Sequence, residues 1–126
     1  MSSYSYFSSM LRFVAAKTEE SAAAAADPRT ATMMATLRRM ADAAEAGTEI
    51  EVAADCLELT ARALAGFAGF LQKSILPEAV AHGNTGGEAQ IRWSVDTAMD
   101  AVNTLLSRAA LQEGQAVRLV LPPPPA

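Results

Sequence analysis

Apolar residues recur at steps of three and four along most of this chain, the period of a helix with one buried side. In the first segment Tyr6, Phe7, Met10, Phe13, Val14 and Lys17 share a side, predicting a helix from about residue 3 to residue 26. Its last part, the run SAAAAA, is carried by alanine propensity and offers little to pack. Asp27-Pro28 then joins a good N-cap to the residue favoured at the first helical position. A second helix is expected from there to about Ala46, stopped at Gly47, with Met33, Met34, Leu37, Met40, Ala41 and Ala44 as its buried stripe.

Thr48-Glu49-Ile50-Glu51 has the spacing of a capping box and predicts the start of a third helix. That helix is expected to reach about Leu76, where Pro77 kinks or ends it. GNTGG is a loop by composition, and Thr85-Gly86-Gly87-Glu88 reads as a second capping box. The fourth helix is expected to run from about Glu88 to Glu113 and stop at Gly114, with Ile91, Val95, Ala98, Met99, Val102, Leu105, Leu106 and Ala109 inward. Beyond it Val117, Leu119 and Leu121 alternate with Arg118 and Val120, a strand period, and four prolines follow. Short connections between four amphipathic segments predict an all-α, antiparallel four-helix bundle over residues 1–114, with an extended proline-rich C-terminal tail over residues 115–126.

Composition narrows the function classes. The 126 residues are 51% hydrophobic, which argues against global disorder, and much of that fraction is alanine. Net charge is −4 with no run of Lys or Arg, so no nucleic acid or basic membrane-binding role is expected. The acidic excess lies mainly at Glu49, Glu51, Asp55 and Glu58, near the expected start of the third helix, where the backbone dipole favours negative charge. The lone cysteine, Cys56, permits no intramolecular disulfide, in keeping with a reducing cytoplasm. The N-terminus does not read as a secretory signal, and the apolar run at residues 63–71 is far short of a membrane span.

The stretch ARALAGFAGFLQKSILP, residues 61–77, holds the main clue. On a helical wheel Ile50, Ala53, Leu57, Ala61, Leu64, Ala68, Leu71 and Ile75 form the core side, while Gly66 and Gly69 fall opposite, near Leu59, Arg62, Phe70 and Lys73. Each interior glycine costs a helix about 1 kcal/mol relative to alanine, so two together imply a compensating close approach by another helix. That helix belongs either to the same bundle or to another chain, most simply a second copy across a twofold axis.

The remaining candidates carry weaker signals. Trp93 lies opposite Val102 on the fourth helix, and is either an interface anchor or packed under the Gly-rich loop or the tail. His82, four residues after Glu78, is too small a set for a metal site and sits where the helix dipole favours a histidine. The tail could add a strand to a partner's sheet, place its prolines in an aromatic groove, or fold back on its own bundle.

These readings lead to a non-enzymatic interaction or assembly module (an adaptor, chaperone-like factor or regulatory subunit) that is a homodimer through the third helix. Its interface residues are Leu59, Gly66, Gly69, Phe70 and Trp93, with a protein partner also conceivable at the tail, and no catalytic residue, cofactor or metal is expected. The competing class is a ligand-binding or enzymatic bundle with a pocket between helices, for which Arg12, Arg62 and Glu78 are conceivable members.

Overall fold

The structure, a computed structural model, describes residues 4–21, 26–47, 49–111 and 115–125. It is mostly helical, with four helical rods and a small two-stranded sheet. Helix α1 spans Ser5–Glu19 and α2 spans Pro28–Ala46. Strand β1, Glu49–Val52, leads through a short turn of 3-10 helix, Ala54–Cys56, into α3, Leu57–Phe70. A π-helical turn, Leu71–Ile75, joins α3 to α4, Leu76–Ala81, so the two make one rod. Helix α5, Thr85–Leu111, and strand β2, Val117–Val120, complete the order.

Local chemistry accounts for most boundaries. The Asp27 carboxylate accepts the Arg29 N–H at 2.9 Å, with Pro28 in the first turn of α2, as its residue types predict. Pro77 removes an N–H donor and crowds the preceding turn. The chain widens just before it: the Leu76 N–H bonds to the Leu71 carbonyl, five residues back, and the helix continues past the proline. Gly83, at φ +67°, ends α4, with the Gly83 N–H on Val80 O and the Asn84 N–H on Ala79 O, a Schellman closure that favours glycine. Asn84 caps α5: its Oδ1 accepts the Gly87 N–H at 3.0 Å. The cap thus stands one residue before the expected Thr85, and Glu88 pairs with Arg92 rather than reaching back.

Helix α1 meets α2 along Ser8 and Ala15, both wholly buried. The Ser8 hydroxyl lies 2.9 Å from Ala41 O and 3.0 Å from the Glu45 carboxylate, and Arg12 bridges Asp42 and Glu45. Glu19 pairs with Arg38 further along. The buried side of α1 is therefore Tyr4, Phe7, Ser8, Leu11, Val14 and Ala15, a correction to the expected stripe. Phe13 and Lys17 are exposed because the small residues, not the largest ones, mark where the two helices approach. The α2 stripe is as expected, with Met33 half-buried.

The largest departure is at residues 49–52. The expected helix start is instead a strand, antiparallel to β2, with Ile50 opposite Leu119 and Val52 opposite Val117. These four side chains and Leu121 are buried, while Glu49, Glu51 and Arg118 face outward. Glu-Ile-Glu-Val alternates with β-branched residues inward, so it suits a pleat once a partner strand is available. Ile50 is buried from the sheet rather than from a helix, and Ala53 is exposed. The cap residue Thr48, most of the SAAAAA run (residues 22–25) and the stop Gly114 lie outside the described residues.

Phe7, Leu11, Leu37, Leu64, Phe67, Leu71 and Leu105 are fully buried and form the centre of the core. On α5 the inward residues include Ile91, Val95, Ala98, Val102 and Leu105, whereas Met99 and Leu106, expected inward, are exposed. Among the described residues no helix is long and apolar enough to cross a membrane.

Candidate functional site

The outer side of α3 carries the residues singled out from sequence. Glu58, Arg62, Ala65 and Gly66 are exposed, and Leu59, Gly69 and Phe70 are half-buried. A methyl group built on either Gly66 or Gly69 meets nothing within 4 Å. Among the described residues, therefore, no helix approaches either glycine closely.

Gly66 and Phe70 line an open groove of about 220 Å³ between α3 and the α1–α2 pair. Its walls include Val14, Met33, Met34, Phe67 and Arg62. Phe70 meets Phe13 edge-on, with ring centroids 6.4 Å apart, and Lys17 Nζ stands 5.8 Å from the Phe13 ring. Phe13 and Met33 were assigned to buried stripes from sequence. The signal that would have moved Phe13 outward is the small pair Ser8 and Ala15, which turns α1 so that Phe13 reaches the rim. A groove of flexible methionines and aromatic edges is suited to receiving an apolar side chain from a partner.

Leu59 and Gly69 lie on the same helix face but outside that groove, and Trp93 is elsewhere. The Trp93 ring is half-buried against Phe7 and Tyr4, at 5.4 and 6.1 Å between centroids. Its Nε1–H donates to the Pro123 carbonyl at 2.9 Å. Gln90 donates to Pro125 O, and the Tyr4 hydroxyl to Leu121 O. Of the two placements weighed for Trp93, the geometry is that of packing under the tail.

A second cleft, about 350 Å³, opens between α2 and the β1–α3 connection and is lined by Thr36, Arg39, Glu51, Cys56 and Thr60 among others. The Cys56 thiol donates to the Asp55 carboxylate at 3.6 Å. Burial first, and the adjacent carboxylate second, push its pKa up, so the thiol form is favoured over the nucleophilic thiolate. Arg39 is turned toward the Thr36 hydroxyl at 3.2 Å. His82 is exposed at the end of α4 with Nδ1 2.8 Å from the Glu78 carbonyl. Arg12 is committed to Asp42 and Glu45, Arg62 lines the α3 groove and Glu78 is exposed on α4, so these three do not converge. Among the described residues no three His, Cys, Asp or Glu side chains are grouped to hold a metal ion.

Comparison with known protein families, curated proteins and solved structures finds no match to this chain.

Proposed function

We propose that this chain is a non-enzymatic interaction or assembly module, acting as an adaptor, chaperone-like factor or regulatory subunit. It binds through the outer face of α3 and forms a homodimer there. One observation carries the reading: both glycines of α3 open onto space that none of the described residues fills, beside a groove with apolar walls. Each interior glycine costs the helix about 1 kcal/mol, and a helix from outside is the contact that would offset that cost. In this reading the rods pack antiparallel as a four-helix bundle, the residues after Leu121 run extended along α5, and the protein works in a reducing cytoplasm.

Light scattering after size exclusion tests it. The chain should elute at twice 13.2 kDa at about 50 µM, and Gly66→Leu and Gly69→Leu should elute as folded monomers. A monomeric wild type would refute the homodimer, and two variants that remain dimers would refute the outer face of α3 as its interface.

The competing reading is a small-ligand or enzymatic pocket, and the cleft beside Cys56 and Thr60 is the observation that favours it. A rise in melting temperature with a member of a metabolite panel, abolished by Thr60→Leu, would support that reading over the first.

A further inference from the structure

We infer that two copies cross with their α3 helices antiparallel, about a twofold axis near Gly66, so that Lys73 of each copy faces the Glu58 end of the other. This rests on the homodimer reading above and adds the direction of crossing and the charges that select it.

Three exposed charges mark the α3 face: Glu58 near its start, Arg62 before the glycines and Lys73 beyond them. Among the described residues none of the three forms an ion pair. The face is thus negative at one end and positive at the other. Glu58 precedes Gly66 by eight positions and Lys73 follows by seven. At 1.5 Å per residue these are roughly 12 and 10 Å from the glycine. An antiparallel copy centred on Gly66 therefore brings Lys73 beside the other copy's Leu59 and Glu58. It also sets Arg62 beside the other copy's Phe70, the geometry of a cation over an aromatic ring. A parallel copy would oppose Glu58 to Glu58, Arg62 to Arg62 and Lys73 to Lys73, which is repulsive throughout. Ala65, Gly66 and Gly69 leave clearance for the two backbones at the crossing, and the half-buried edge of Phe70 beside them supplies apolar surface.

The test is charge exchange, read by sedimentation equilibrium in about 50 mM salt. Glu58→Lys and Lys73→Glu should each weaken the dimer about fivefold, and the double variant Glu58→Lys/Lys73→Glu should return to within about twofold of wild type. Raising salt to about 0.5 M should weaken the wild-type dimer and shrink the effect of each single change. Melting curves of the dilute proteins check folding, and Glu58→Gln repeats the first arm without placing a positive charge at a helix start. A wild-type dimer whose affinity ignores both single changes, or whose double variant is weaker than either, overturns the antiparallel pairing and leaves the homodimer standing. A wild type that stays monomeric to about 200 µM overturns both.

Discussion

Alanine at Gly66 and Gly69 should stabilise the folded chain while loosening its self-association, a pair of opposite signs that few other readings produce. Both positions lie inside the α3 rod, and neither has positive φ. An added methyl meets no other described residue within 4 Å at either site beyond its own helix backbone, so no clash subtracts from the gain in helix propensity. Gly→Ala in a helix interior is worth about 1 kcal/mol, partly because glycine is freer in the unfolded chain. The double variant should gain about 2 kcal/mol, or roughly 6–8 °C in melting temperature for a chain of this length. Urea unfolding followed by far-UV circular dichroism at about 1 µM, below the association range, measures it, with the slope unchanged and only the midpoint raised. At about 50 µM the same variant should dissociate more readily than wild type, because two methyl groups now stand in the crossing. A dilute variant that is neutral or less stable would refute the open-space argument. A variant that associates more tightly would refute the glycine face as the contact.

Four further expectations follow from single contacts. Thr97 Oγ1 is buried without a hydrogen-bond partner in the described structure, so Thr97→Val should raise stability by about 1 kcal/mol in urea titration; a loss would mean the hydroxyl is satisfied. The Arg12 guanidinium, and secondarily the Ser8 hydroxyl, lower the Glu45 pKa from its usual 4.5, so its stabilising effect is complete above that pH and lost as pH falls through the lowered value. The stability difference between wild type and Glu45→Gln should accordingly shrink as pH drops below 4.5, and a constant difference would count against the bridge. Gly83→Ala forces a side chain into φ +67° and should cost about 1 kcal/mol in the same titration. Leu119→Asp places a carboxylate in the sheet's buried face opposite Ile50, and should cost about 3 kcal/mol while most helical dichroism survives; an unshifted midpoint would mean the strand pair does not dock.

What the amino-acid order determined alone is mostly what neighbours within one turn decide. Asp27-Pro28 placed the start of α2, the stripe from Met34 to Ala44 placed its buried face, and the wheel put Gly66 and Gly69 away from the core of α3. Pro77 announced a disturbance, and it came as a widened turn rather than an end because the Leu71 carbonyl found a donor five residues on. Three features needed the tertiary structure. Glu49–Val52 resembles a helix start locally and became a strand because Val117–Val120, far along the chain, supplied the ladder. The side of α1 that is buried was set by how closely Ser8 and Ala15 let α2 approach, a property of two helices together. Trp93 lies under the tail because the Pro123 carbonyl accepts its N–H. Periodicity reports which residues share a side, but only the partner surface decides which side is covered and which, as with the glycines of α3, is left open.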